Sequence, residues 1–175
     1  MENNKQAIKI KRATSKDINR FWNFFEKSVK KQFPEYPTRV RKFFLKKQYT
    51  KSHLKQCLRE KTITLLIVLD NNEVVGYLIA GLPYGGIVSI IWLAVKDSLQ
   101  RKGIGSALLK EYETIAKKKG IHKITLLVTN KENLKFYKKN GYKIIGYVPK
   151  NYFGLNDWWL YKEIQKPKID KCISN

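Results

Sequence analysis

The chain is poor in the residues that staple or coordinate. It carries two cysteines, Cys57 and Cys172, and two histidines, His53 and His122, in 175 residues. Two thiols so far apart build no disulfide framework and fit no metal-ligand or redox spacing. No metal site is expected. Long apolar runs are also missing. The longest, around 63–69 and 87–95, fall far short of the roughly 20 residues that cross a bilayer, so no membrane association is expected. Residues 1–10 are polar and contain no apolar segment of the secretory kind, which points to a soluble, cytoplasmic protein. Acidic residues are scarce, 14 Asp and Glu against 36 Lys and Arg, for a formal net charge of +22. Arginine is scarce within that excess. Only Arg12, Arg20, Arg39, Arg41, Arg59 and Arg101 stand beside thirty lysines.

Charge of this size favours polyanions: nucleic acid, anionic cofactors or acidic proteins. The lysines are spread along the chain rather than held in one block, so a solvated basic surface explains them equally well. The hydrophobic fraction of 43% is that of a globular protein. The length suits a single domain covering 1–175, with a core over about 7–164 and a polar tail over 166–175.

Periodicity sets out the elements. "AIKIKRAT" alternates as a first strand. Ser15 is placed as the N-cap of an amphipathic helix, "DINRFWNFFEKSVKKQF", which Pro34 and Pro37 end. "PTRVRKFFLKKQY" and 52–59 read as two more helices. "TITLLIVLD" and "EVVGYLIAGL" form a hairpin across Asp70-Asn71-Asn72. "IVSIIWLAV" is almost wholly apolar, the pattern of a strand buried on both faces. A long helix follows, its inner face set by Ile104, Ala107, Leu108, Ile115 and Ala116, closed by Lys117 to Lys119 and Gly120. Then come a strand ("HKITLLVT"), a short helix ending at Gly141, and two strands ("YKIIGYV", "WWLYKEI"). The order predicts an α/β (α+β) domain. Its sheet is mixed but mostly antiparallel, with about six to seven strands and about four to five flanking helices.

Between the apolar strand and the long helix lies Gln100-Arg101-Lys102-Gly103-Ile104-Gly105. A helix N-terminus offers unpaired N–H groups and a partial positive charge, and glycine lets an anion come close to them. The sequence contains no GxxxxGK[ST] loop, and a dinucleotide fingerprint would need glycine where Leu108 stands. Taken alone, a GxG is compatible with a plain helix-start turn. In context, Gln-x-x-Gly-x-Gly after a buried strand resembles the acyl-CoA motif of the GNAT superfamily of N-acyltransferases. "NKENLKFYKKNGY" resembles that family's second signature, filled by Asn130, Asn133, Phe136, Tyr137, Gly141 and Tyr142. The resemblance runs from about residue 7 to residue 164 and includes the element order.

The resemblance implies the GNAT fold and acetyl-CoA (coenzyme A) as cosubstrate, with acetyl transferred directly to a primary amine in a ternary complex. It implies that Arg101, Lys102, Gly103, Ile104, Gly105 and Ser106, after Gln100, receive the pyrophosphate through backbone and charge. It implies that Leu93, Ala94 and Val95 pair with the pantetheine arm as an added strand, and that Asn130 and Asn133 touch the cofactor across the cleft. Tyr137 is the residue implied for catalysis, its phenol protonating the departing thiolate.

The general base does not carry over. The positions that hold a family Glu are Ser89 and the apolar strand 124–129 here. Glu73, Asp97, His122 and Asp157 remain candidates beside a water relay to solvent. Phe33, Tyr36, Phe43, Phe44 and Tyr49 fall where the family walls the acceptor side, and Trp158 or Trp159 lies opposite the thiol; core packing is the alternative for each. A surface of +22 disfavours polyamines and aminoglycosides as acceptors. A protein Lys or N-terminal amine, on an acidic or nucleic-acid-associated partner, is favoured. The alternative is an inactive GNAT-like module that binds nucleic acid or protein through its lysines. Oligomeric state is not legible.

Overall fold

The structure, a computed structural model, describes residues 8–170. Ala7 of the expected first strand, Cys172 and the last residues of the expected tail lie outside the described residues.

Seven strands form one sheet in the order β1-β2-β3-β4-β5-β7-β6. They are β1 (Lys9–Arg12), β2 (Thr64–Asp70), β3 (Glu73–Ala80), β4 (Ile87–Val95), β5 (Lys123–Val128), β6 (Lys143–Val148) and β7 (Asp157–Glu163). All neighbours are antiparallel except β4 and β5. Among the described residues five helices flank the sheet: α1 (Ile18–Lys31), α2 (Thr38–Phe43), α3 (Lys51–Arg59), α4 (Ile104–Lys118) and α5 (Asn133–Lys139). The expected architecture is therefore the observed one.

The local starts and stops have local causes. Asn71 and Asn72, both at positive φ, turn β2 into β3, a conformation asparagine tolerates. Gly120 at φ +77 and Gly141 at φ +84 end α4 and α5 in the left-handed position that follows a helix. The helical entry differs from expectation: a 3₁₀ turn, Ser15–Asp17, precedes α1, whose own N-cap position is Asp17, and Thr14 caps that turn. Thr14 occupies the cap, because the Asp17 carboxylate accepts from its backbone N–H at 2.8 Å and its hydroxyl at 3.1 Å. Ser15 instead opens a short 3₁₀ turn, Ser15–Asp17. Helix α2 runs on into a π-helical segment, Phe44–Gln48, so the aromatic run 43–49 forms a wide turn.

Each sheet face has its own core. On one, Leu66, Val68, Val75 and Leu78 meet Leu108, Leu109, Tyr112 and Ala116 of α4. Ala107, expected on that inner face, is exposed, and Tyr112 takes the inward position. On the other, Leu65, Ile67, Tyr77 and Ile79 meet Phe21, Phe25 and Val29 of α1. That second core draws nothing from β5, β6 or β7. The first half of β4 is consequently buried on one face only, with Ile87, Ser89 and Ile91 exposed. Its apolar run had suggested burial on both.

Candidate active site

A bulge in β4 creates the site. Ile79 of β3 pairs with Trp92 and Ala80 pairs with Ile90, so Ile91 is one residue too many. The extra residue reverses which side chains face which way. Val88 and Ile90 lie in the α4 core, whereas Trp92 and Ala94 lie in the α1 core. Pairing with β5 stops at the same place: Ile87 to Ile90 match Lys123 to Leu126, and β4 then runs on to Val95 without β5. Strand β5 meanwhile stays with β7 out to Val128 and Trp158. The two parallel strands part into a cleft with the backbone of Leu93, Ala94 and Val95 along one wall.

The cleft ends on the glycine turn. Gln100 is exposed, yet its side chain is tied back to the strand end. Its Nε2 donates to the Val95 carbonyl at 3.1 Å and to Asp97 Oδ1 at 3.1 Å. Gln32 from the end of α1 reaches the same two acceptors at 3.0 and 2.5 Å. Two amides thus fix the end of β4 to the turn. Arg101 (φ +61) and Gly103 (φ +83) then take left-handed backbone. Gly103 caps α4 with no side-chain hydrogen bond. The leading N–H groups of this 15-residue helix receive no side-chain cap from it, an arrangement suited to an anion. A Cβ on Gly103 would meet nothing within 4 Å, whereas one on Gly105 would stand 3.0 Å from Phe136 Cζ and 3.8 Å from Leu93 Cδ2. The two glycines therefore serve different ends: one opens the cradle, the other lets α5 close on α4.

Helix α5 supplies the far wall. Asn130 Oδ1 accepts from the Glu132 N–H at 2.9 Å, and its carbonyl accepts from the Asn133 N–H at 3.0 Å, so Asn130 shapes the turn into the helix. Asn133 is exposed. The Tyr137 ring packs edge-on against Phe136 at 5.0 Å and Tyr142 at 5.8 Å. Burial raises the Tyr137 hydroxyl above its ordinary pKa, so it stays a proton donor at neutral pH.

The four carboxylate and imidazole candidates separate. Asp97 is engaged by Gln32 and Gln100. Glu73 starts β3 at the β2–β3 turn. His122 sits at the other end of β5, its backbone bonded to Gly86 and Ile164. Ser89, where a family Glu would stand, pairs its hydroxyl with Thr125 at 2.7 Å. Asp157, at the start of β7, is 3% exposed. It accepts from Thr129 Oγ1 at 2.7 Å and Asn151 Nδ2 at 3.0 Å.

Aromatic side chains gather beside the bulge. Trp92 meets Phe33 at 4.7 Å, Phe44 at 5.3 Å and Tyr49 at 5.8 Å. Tyr36 lies against Phe44 at 5.2 Å. Phe153, from the β6–β7 loop, reaches across to Phe44 at 5.3 Å and Tyr36 at 6.4 Å. Phe153 lies in the aromatic stretch 151–161 expected opposite the thiol, although Trp158 and Trp159 are the residues named from it. It is half-exposed and held at φ +57, an uncommon backbone for a bulky residue. The following Gly154 was the available sign of a tight turn. Trp158 packs into the α4 core and against Tyr147 at 5.1 Å, which is the packing role, whereas Trp159 is 45% exposed beside Leu127.

Residues 19–142 match the model of the acetyltransferase (GNAT) family. The chain belongs to that family, and acetyl-CoA is the cosubstrate that goes with it. Among solved structures, it superposes on PaiA N-acetyltransferase from Thermoplasma acidophilum in complex with coenzyme A. The TM-score is 0.76 at 23% identity, over 90% of this chain and 99% of that one. It also superposes on Ard1 from Thermoplasma volcanium, with a TM-score of 0.71 at 21% identity, over 91% and 99%. Among curated proteins, it is 38% identical over 66 residues to the tRNA(Met) cytidine acetyltransferase TmcA of Aeropyrum pernix. That match takes in 37% of this chain but only 9% of the length of the relative. Among the described residues no helix is long and apolar enough to cross a membrane.

Proposed function

We propose that the protein is an acetyl-CoA-dependent N-acetyltransferase that passes the acetyl group directly to a primary amine. The observation that carries this is the split of β4 from β5 at the Ile91 bulge, leading to an uncapped helix N-terminus. The solved PaiA complex, with coenzyme A on a similar fold, supports it.

Each part of the chain has a share. Arg101, Lys102, Gly103, Ile104, Gly105 and Ser106 receive the pyrophosphate, and Leu93, Ala94 and Val95 offer backbone groups to the pantetheine arm. Gln100 acts indirectly, by holding Val95 and the turn together. Asn130 shapes the facing wall and Asn133 is free to touch the cofactor. Acetyl-CoA supplies an activated thioester. Tyr137 donates the proton that the departing thiolate takes.

The acceptor side is the aromatic wall of Tyr36, Phe43, Phe44 and Phe153. A protein Lys or an N-terminal amine on an acidic partner suits the +22 charge, and a cytoplasmic setting belongs with acetyl-CoA. The TmcA resemblance favours a second reading, an amine carried by nucleic acid. A module that binds nucleic acid or protein without catalysis is the remaining alternative. The test is calorimetry with acetyl-CoA, followed by thiol release with panels of peptides, small amines and RNA. Cofactor binding with amine-dependent thiol release is expected. Folded protein that binds no acetyl-CoA refutes the reading, and binding without turnover on any acceptor moves it to the inactive module.

A further inference from the structure

Lysine occurs throughout this sequence, but carboxylates do not. Between Glu35 and Glu60 the chain carries eight Lys and Arg, and all 14 Asp and Glu lie outside that stretch. The stretch contains α2, the π-helical segment and α3. Arg41 is used within the fold: its guanidinium donates to the Lys30 carbonyl at 2.9 Å and to Thr38 Oγ1 at 3.2 Å. Arg39, Lys42, Lys46, Lys47 and Lys51 are exposed, and none makes an ion pair among the described residues. The segment therefore presents positive charge with no acid of its own to offset it.

Aromatic rings lie among these cations. Arg39 precedes Phe43 by four residues, so the two share a face of α2. Lys42 is the neighbour of Phe43, and Lys46 and Lys47 follow about one turn later. Phe43 is 45% exposed, and Phe153 of the β6–β7 loop is 48% exposed. Their ring centroids are 6.3 Å apart, and both rings pack against the buried Phe44, at 6.1 and 5.3 Å. Two accessible rings are thus held beside a row of unpaired cations. From Arg39 to Lys47 the row runs about 12 Å at the helical rise, a span that one phosphate cannot bridge and a chain of phosphates can. An acidic peptide would match the cations and leave the rings without a use. A strand with unpaired bases matches both, its phosphates on the cations and a base on the rings. A duplex offers the phosphates but keeps its base faces stacked inside.

We propose that Arg39, Lys42, Lys46, Lys47 and Lys51, together with the Phe43 and Phe153 rings, form a docking surface for a single-stranded nucleic acid. The cations hold the backbone and the rings stack a base. This deepens the acceptor side of the proposed function, and rests on it for its catalytic meaning: the docked strand brings its bases to the aromatic wall. Docking itself is measured without turnover, so it can fail while the acetyltransferase reading stands.

The probe is a fluorescein-labelled oligouridylate of about twelve nucleotides, a length typical of single-strand sites, and binding is followed by anisotropy as salt is raised. The triple variant Lys42→Gln/Lys46→Gln/Lys47→Gln is compared with Lys117→Gln/Lys118→Gln/Lys168→Gln, which removes the same charge from exposed lysines outside the segment. Losing three phosphate contacts should lower the salt slope by about 2 and the affinity at about 50 mM salt by at least tenfold. The second triple should stay within about threefold of the parent. Phe43→Ala should weaken binding by about tenfold, the scale of one stacked base, with the slope unchanged. If Phe43→Ala fails to fold, Phe43→Leu, apolar but without a ring, carries that arm. In both lysine triples the acetyl-CoA Kd, by calorimetry, should stay within about twofold. Equal losses in the two triples overturn the surface, as does a parent that leaves the probe unbound at about 50 mM salt; acetyl-CoA binding then still supports the acetyltransferase reading. An oligoglutamate of equal charge that competes as well as unlabelled oligouridylate overturns nucleic acid in favour of acidic protein, and so does full affinity in the Phe43 variant. A folded parent that binds neither the probe nor acetyl-CoA overturns both readings.

Discussion

Gly103 and Gly105 stand two residues apart in one motif, yet the structure predicts different failures when each becomes alanine. At Gly105 a Cβ arrives 3.0 Å from Phe136 Cζ and 3.3 Å from Cε2. Carbon atoms settle at about 3.5–4.0 Å, so the ring must retreat by roughly 0.5–1 Å. Alanine in a helix interior gains about 1 kcal/mol over glycine, and overpacking costs about 1–3 kcal/mol. The net expectation is a loss of about 0–2 kcal/mol. The larger effect is on rate, because Phe136 and Tyr137 share α5 and their rings touch at 5.0 Å. A misplacement of this order costs up to about 10²-fold in rate. Gly105→Ala should therefore lower kcat with nearly unchanged acetyl-CoA affinity.

At Gly103 the space is empty and the constraint is φ +83. A left-handed alanine costs about 1–2 kcal/mol, and its methyl would project where the pyrophosphate is proposed to approach. Gly103→Ala should weaken acetyl-CoA at least tenfold, about 1.4 kcal/mol, with kcat at saturation nearly unchanged. Urea unfolding gives the stability change, calorimetry the affinity, and thiol release kcat. A Gly105→Ala protein that gains the full helix increment of about 1 kcal/mol and turns over normally would refute the close-approach argument.

Tyr137→Phe keeps both ring contacts and removes only the hydroxyl, so kcat should fall by about 10²- to 10⁴-fold at constant acetyl-CoA affinity; full turnover removes Tyr137 from the chemistry. Burial alone would raise the Asp17 carboxyl, but the Thr14 N–H, Arg20, Lys11 and the Thr14 hydroxyl outweigh it and hold it well below the usual range. Its contribution is therefore complete above the unfolded value of about 3.9 and fades as pH falls below that. Asp17→Asn should cost about 1–3 kcal/mol near neutrality and flatten the acid limb of stability below about pH 4. If the lysines serve nucleic acid, binding to duplex DNA should weaken linearly in log salt with a slope reporting several phosphates; no binding at about 50 mM salt would leave the charge as solvated surface.

Most of the fold was legible because its causes are local. Alternation marked β1 and the hairpin, glycines ended α4 and α5, and Pro37 opened α2. What depended on a neighbour was misread. The apolar run of β4 cannot disclose that no helix covers its Ile87–Ile91 face, because that vacancy belongs to the arrangement of α1 to α3. Nor does it mark Ile91 as the bulge, since any residue in a uniformly apolar run could be the extra one. Thr14 and Ser15 are adjacent hydroxyls with equal claims to the cap, and the choice falls to Asp17, whose carboxylate reaches back to Thr14.

The proposed site divides along the same line. Its proposed cofactor half sits in two contiguous motifs, 100–106 and 130–142, because a helix N-terminus and a short helix are each built from adjacent residues. The acceptor half has no such carrier. Its aromatic side chains join residues 36, 43 and 44 to 153. Those positions share no spacing and no periodicity; only the sheet order β5-β7-β6 brings them to one end of the cleft. A donor common to many enzymes can be held by a short recurring motif, whereas an acceptor particular to one enzyme is held by side chains drawn from loops. The residues proposed to face the acceptor are therefore those that only the assembled sheet discloses, and Phe153, which reaches across to Tyr36 and Phe44, is where that proposal should be probed first.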